Sequence, residues 1–541
     1  MTYLCTLDIL FRGATVYEGS GAPGRQTDVL VRDDRIAALG DTGLSAERVV
    51  EAAGLALSPG FIDMHSHADF TLPAFPAAPN NISQGVTTEV VGLCGFTPAP
   101  LSPDPERADL LRDLGRGVGP DLDWTWSSFE SFLNYLEAKR PATNVAPLVG
   151  HSALRISAMG MDDRAPRPAE LAHMRAELRA ALDAGAWGMS TGLVYTPGAF
   201  ARTDELHQLG EELRRDDAMY VSHIRNEGDG LLDAVAEAIG IGQRNGIRTQ
   251  VSHLKATGKN NEGRAQDAVN LLETARQSSV RAHCDVYPYT AGSTFLHQVL
   301  PPWTKAGGLQ PMLERLRGPE LRQRIRHDIE HGLPGWGNHL EAADGWHNVM
   351  IASVTAPERR DAEGRRVSEL AAAARLDPLD YTLDLLIADR GATVMVIFLM
   401  AESDVRTALS APFAAIGSDL LGVTSASARV HPRAYGTFVR VLGWGVRDAQ
   451  LFPLEEAIRK MTGLPASILG LSDRGRVAVG AVADLVLFDP QRVTDTATYE
   501  HPTRLADGVE YVLIGGELAV DAGRLVKLDG GRVLRRLQWR A

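Results

Sequence analysis

The segment Pro59-Gly60-Phe61-Ile62-Asp63-Met64-His65-Ser66-His67 decides how the chain is read. A Pro-Gly turn leads into a short apolar strand that ends in two histidines one residue apart. Side chains alternate faces along a strand, so positions i and i+2 point the same way. His65 and His67 therefore project together from the strand's end, a ready pair of nitrogen ligands for a divalent metal. So short a motif also arises by chance, and the residues C-terminal to it decide its meaning.

From residue 86 onward, apolar strands alternate with helical patterns. Residues 86–93 precede Cys94, 144–149 precede Gly150-His151, and 186–190 come after a helical run at 170–183. Residues 218–222 precede His223, 248–252 precede His253, 280–286 precede Tyr287, and 414–418 precede Asp419. With 61–64 in front, these are eight strand candidates. Strand–helix alternation implies a parallel sheet. Eight such units imply an α/β fold of the (β/α)8 TIM-like barrel type, with chemistry at the carboxyl ends of the strands.

The reach from Tyr287 to Asp419 is too long for one crossover. Pro301-Pro302-Trp303, a charged helical run at 313–332, and Trp336 and Trp346 mark an inserted lid subdomain at about 295–350. Short strands recur before residue 58 and after residue 483, separated by Gly, Asp and Pro. The expected organisation is a small β-sandwich domain built from both chain termini, 1–58 and 471–541, bracketing a barrel at 59–470.

Composition sets the class. Hydrophobic residues make up 44% and charged residues 23% of the 541 residues, as in a soluble globular protein. A formal net charge of -13 argues against non-specific binding to nucleic acid. No window approaches the roughly 18 apolar residues of a membrane helix, and residues 1–21 do not read as a secretory signal. The cysteines Cys5, Cys94 and Cys284 are odd in number and far apart, which fits a reducing cytoplasm.

Six residues stand at strand ends: His65, His67, Cys94, His223, His253 and Asp419. Each alone has a plainer reading; a buried cysteine, for instance, usually behaves as a small hydrophobe. But Tyr220-Val221-Ser222-His223 and Gln250-Val251-Ser252-His253 use one strand-end pattern twice, in consecutive units. Imidazole and thiolate are typical zinc ligands, and a thiolate can bridge two cations. A catalytic zinc lowers the pKa of its bound water to roughly 7. Asp419 has two roles open to it: holding a metal, or moving a proton from the attacking water to the leaving group.

In these residues the chain resembles the amidohydrolase superfamily and, within it, the N-acyl-D-amino-acid deacylases (D-aminoacylases), over nearly its whole length. The Pro-Gly-Phe-Ile-Asp-x-His-x-His opening is shared widely in the superfamily. More specific is Cys94 in Val86-Thr87-Thr88-Glu89-Val90-Val91-Gly92-Leu93-Cys94-Gly95. Many members use instead a carboxylated lysine, often at the end of strand four, where this chain reads Gly188-Met189-Ser190-Thr191-Gly192-Leu193-Val194-Tyr195. The resemblance implies zinc held tightly by Cys94, His223 and His253. It implies a second, weaker site framed by His65, His67 and Asp419, with Asp419 as acid/base. Residues matching Tyr195, Lys255, Tyr287, Ser293 and Arg433 contact the substrate in the family, several at its carboxylate. The expected reaction is zinc-dependent hydrolysis of an N-acyl-D-amino acid, a small molecule, to a carboxylate and a D-amino acid.

One segment departs from the family. Gly-x-Pro-His usually comes after the aspartate, whereas residues 420–430 here form a longer run without it, which bears on the natural substrate. Cyclic-amide hydrolysis of the hydantoin or dihydroorotate type is the enzymatic rival; the absent lysine and the Arg433 carboxylate clamp speak against it. A non-catalytic metal-binding barrel is the alternative of another class, disfavoured because all six candidate ligands are present.

Overall fold

The computed structural model describes residues 8–40, 43, 45–423 and 429–539; Cys5 and residues 424–428 of the departing loop lie outside them. The eight strand candidates become the staves of a barrel: β1 (Phe61–Asp63), β2 (Val86–Val91), β3 (Asn144–Pro147, resuming at Val149–Gly150), β4 (Gly188–Gly192), β5 (Met219–His223), β6 (Arg248–Val251), β7 (Ala282–Val286) and β8 (Ala414–Ile416). Neighbours pair in parallel throughout. The ring closes where Met64 N–H donates to Ile416 O at 3.1 Å and Asp419 N–H to His65 O at 2.7 Å. Strands covered on both faces read as unbroken apolar runs, and every residue of β2 is buried. The crossover helices present one apolar stripe inward, as Leu206, Leu209 and Leu213 do on Thr203–Arg215.

Pro59-Gly60 is not a turn. Pro59 ends the strand Ala56–Pro59, and the chain runs on through Gly60 into β1. Glycine is required there by close approach, because a Cβ would lie 2.3 Å from the Thr87 side chain. The strand Ala56–Pro59 pairs antiparallel with Leu485–Phe488, matching Leu57 with Leu487. This joins the two chain ends in one nine-stranded sheet, branched at Ile9–Val16. The same sheet therefore anchors the strand that carries His65 and His67.

Between β7 and β8 lies a three-stranded antiparallel sheet of Ala291–Phe295, Val349–Ser353 and Val394–Phe398. It has its own apolar cluster, including Leu296, Leu316, Ile325, Leu383 and Met395. The inserted unit thus extends well past the expected 295–350. The helical run and the tryptophans marked its middle, while its strands lie at and beyond the edges. Among the described residues no helix is long and apolar enough to cross a membrane.

The C-terminal tail returns to the barrel. Trp187, 1% exposed and just ahead of β4, donates from Nε1 to Leu534 O at 2.7 Å. Trp187→Ala leaves a large cavity and an unmet carbonyl, so it should destabilise the protein by about 3–5 kcal/mol. Denaturant unfolding measures this; a loss under about 0.5 kcal/mol would mean the tail is not strapped here.

Candidate metal centre

The expected residues meet at the carboxyl ends of the strands. His65 and His67 come after β1, Cys94 after β2, His223 ends β5, His253 comes after β6 and Asp419 after β8. All six are buried. Cys94, His253 and Asp419 have φ of 52°, 34° and 50°. Such left-handed conformations cost of order 1–3 kcal/mol for a residue with a side chain and persist where the surroundings enforce them.

The ligand atoms converge. Cys94 Sγ lies 3.3 Å from His65 Nε2 and 3.6 Å from His253 Nε2. His253 Nε2 is 2.9 Å from His223 Nδ1. Asp419 Oδ1 is 3.4 Å from His65 Nε2 and 3.3 Å from His67 Nε2. Among the described residues, two groups of possible ligand atoms, each within 4.8 Å, result: His65, Cys94, His253 and Asp419, and His223, Glu227 and His253. They share His253.

The electrostatics of the cluster favour a cation. Burial pushes the Cys94 thiol up, but His65 and His223 outweigh it and hold the thiol well below its ordinary value. Burial likewise raises Asp419, yet Arg433 and His65 keep its carboxyl well below the usual carboxylate range. Burial lowers His67, but Asp419 and Cys94 raise it to about 9. A buried thiolate and carboxylate facing imidazole nitrogens is a donor set suited to zinc.

Three carboxylates that sequence reasoning missed arrange these groups. Asp285 Oδ1, on β7, lies 3.0 Å from His65 Nδ1 and accepts from His253 N–H at 2.8 Å, while Oδ2 accepts from Gln250 Nε2 at 2.6 Å. One carboxylate thereby orients a side chain on one strand and the backbone of another. Asp63 Oδ1 accepts from the backbone N–H groups of His65 and Ser418 at 3.0 and 2.8 Å. Glu227 Oε1 is 2.6 Å from Lys255 Nζ, 3.1 Å from His253 Nδ1 and 3.6 Å from His223 Nε2. An acidic residue inside the strand Ala282–Val286 was the available signal for Asp285; Glu227 had only its position four residues after His223.

The five expected substrate contacts surround the cluster. The Tyr195 ring stands 4.9 Å from that of His223, and its hydroxyl accepts from Thr294 Oγ1 at 3.0 Å. Lys255 and Arg433 flank the Tyr287 ring, with Nζ at 5.6 Å and Cζ at 4.7 Å from its centroid. Arg433 opens the helix Arg433–Arg440 and is 1% exposed. Its Nη1 meets Asp419 Oδ2 at 2.8 Å, and its Nη2 donates to Ser293 O at 3.2 Å. Ser293 Oγ donates to Met395 O at 3.0 Å, inside the inserted sheet.

Residues 48–520 match the Amidohydrolase family. The chain is 38% identical to the N-acyl-D-aspartate deacylase of Alcaligenes xylosoxydans xylosoxydans, over 97% of this chain and 95% of that one. It belongs to the amidohydrolase family, in the N-acyl-D-amino-acid deacylase branch. Among solved structures, a D-aminoacylase superposes with a TM-score of 0.81 at 36% identity, covering 98% of this chain and 100% of that one. That enzyme has a binuclear metal centre, with one-metal activation and second-metal attenuation. The N-acyl-D-glutamate deacylase of Bordetella bronchiseptica, complexed with zinc and a phosphonate that mimics the tetrahedral intermediate, superposes with a TM-score of 0.82 at 34% identity, covering 98% and 100%. These likenesses fix the α/β barrel of this amidohydrolase.

Removing the Asp285 carboxylate should release both His65 and His253. Outer partners of ligating histidines are typically worth 10–100-fold in metal affinity. Asp285→Asn should weaken zinc binding by about that factor, read by competition with a chromophoric chelator. Unchanged affinity would show that Asp285 does not orient the ligands.

Proposed function

We propose that this amidohydrolase hydrolyses the amide bond of N-acyl-D-amino acids, with zinc as its cofactor. The observation that carries the reading is the Cys94 thiolate between His65 and His253, at 3.3 and 3.6 Å, in a barrel whose fourth strand ends without a lysine. Cys94, His223 through Nδ1 and His253 through Nε2 would hold the tightly bound zinc. His65, His67 and Asp419 would frame a second, weaker site. When bound, the metal supplies Lewis acidity and makes water acidic enough to act near neutral pH.

The chain's own residues divide the remaining work. Asp419, ionised and within reach of both metal sites, takes a proton from the attacking water. The water oxygen bonds to the carbonyl carbon, and the C–N bond breaks with its electron pair going to nitrogen. Asp419 returns the proton to that nitrogen, and the carboxylic acid loses water's other proton at neutral pH. Arg433, Lys255, Tyr287 and Ser293 hold the substrate carboxylate, Ser293 by giving up its bond to Met395 O, and Tyr195 lines the reacting end. The guanidinium offers a planar fork to a carboxylate; here one arm rests on Asp419, so the substrate carboxylate competes with that contact. With carboxylate and carbonyl both fixed, only one arrangement at Cα is accepted, the D one. The inserted sheet carrying Ser293 acts as a lid over the mouth, and the branched terminal sheet is read as a small β-sandwich. The buried free thiols Cys94 and Cys284 suit a cytoplasmic protein.

Amine release from N-acetyl-D-methionine, stopped by a chelator and restored by zinc, tests the reading; the L isomer should not be turned over. Equal turnover of both isomers, or release unaffected by metal removal, would overturn it. Asp419→Asn should lower kcat by about 10²–10⁴-fold, the usual contribution of a general acid–base group, while retaining zinc in the Cys94 site. Stopped assays with metal analysis check this; activity within about tenfold of the parent would assign the proton to another group.

A further inference from the structure

Lys305 is an ionisable group for which the proposed chemistry has no use. It lies in the inserted unit, is 3% exposed and makes no ion pair among the described residues. Its Nζ reaches only neutral oxygens: Gln298 Oε1 and Leu300 O at 3.2 Å and His297 O at 3.4 Å. Burying an ammonium without an anion is costly, and burial brings Lys305 down to about 7. An arriving carboxylate would restore the charge and turn a cost into a charge-assisted hydrogen bond.

There is room for one. Lys305 lines a cavity of about 60 Å³ that shares Phe96 and Tyr195 with the metal centre. The Phe96 ring stands 6.2 Å from His67 and 4.9 Å from Tyr195, and Phe295 bridges toward His297, stacked at 5.1 Å. Two rings of the cavity lining, Phe96 and Tyr195, thus pack directly on the candidate ligands His67 and His223, while the buried cation lines the same cavity. At roughly 10–15 Å³ for each water-sized group, the space fits a short arm, not a long acyl chain. Arg116 and Arg390 also line it, and the sole acidic group among the lining residues, Asp113, faces Arg116 at 3.8 Å.

Building on the proposed amide hydrolysis, we propose that this cavity is a subsite for a short carboxylate-bearing arm of the substrate, received by Lys305. The arm is either the side chain of an acidic D-amino acid or a dicarboxylic acyl group. Both are short methylene chains ending in a carboxylate, and kinetics separate them.

The experiment compares kcat/KM for N-acetyl-D-glutamate, N-succinyl-D-glutamine and the neutral N-acetyl-D-glutamine. One of the two charged substrates should exceed the neutral one by roughly tenfold to a hundredfold, the worth of a hydrogen bond between charged groups. Which one does so says whether the side chain or the acyl group enters. In Lys305→Met that ratio should fall to about one, mainly through KM, whereas Lys305→Arg should retain most of it. A parent enzyme indifferent to both carboxylates overturns the subsite, as does a Met variant that lowers all three substrates alike, the behaviour of a lysine that only clamps its loop. If Lys305→Met does not fold, loss of the preference in Lys305→Arg overturns it too. No turnover of any of the three would instead refute the amide hydrolysis on which the subsite rests.

Discussion

Cys94, His253 and Asp419 leave their strands with φ of 52°, 34° and 50°, and the rest of the site depends on those bends. A parallel strand that simply continued would carry its side chains away from the barrel axis. A left-handed residue at the strand end swings Sγ, Nε2 and Oδ1 to within about the length of a metal–ligand bond pair of their neighbours. Each bend costs of order 1–3 kcal/mol, and the strand ends have contacts that meet it. Asp419 N–H donates to His65 O, Leu254 N–H to Asp285 O, and Asp63 accepts from Ser418 on one side and His65 on the other. Within the barrel mouth, these three left-handed residues all turn their side chains toward one another.

Part of the buried charge around that meeting point is paired. Asp285 faces His65, Glu227 faces Lys255 and His253, and Arg433 faces Asp419. Each partner offsets the desolvation of the other, which is the condition under which ionised groups persist in a low-dielectric interior. Lys305 is the exception in the neighbouring cavity, with three neutral acceptors.

Much of this was legible in the residues themselves. The spacing of His65 and His67, the twin endings at His223 and His253, and a polar residue after each apolar run derive directly from barrel geometry, where strand ends converge. Other features have little or no one-dimensional signature. Asp285 sits on a strand that also carries His283, and its role depends on two other strands arriving beside it. Glu227 is an ordinary charged residue until the fold sets it beside Lys255 and His253, and Lys305 until burial isolates it. Gly60 looked like half of a turn because close approach to Thr87 is a contact across strands. The inserted unit outran its expected limits because its sheet is assembled from segments as far apart as residues 291 and 398.

The central claim is that the Cys94 sulfur belongs to the metal centre and not to the apolar packing around it. X-ray absorption at the zinc edge of the metal-loaded protein tests it most directly. One sulfur scatterer at about 2.3 Å, with the remaining shell nitrogen and oxygen at about 2.0–2.2 Å, and loss of the sulfur shell in Cys94→Ser, is the expected result. A spectrum fitted by nitrogen and oxygen alone in the parent protein would contradict the account.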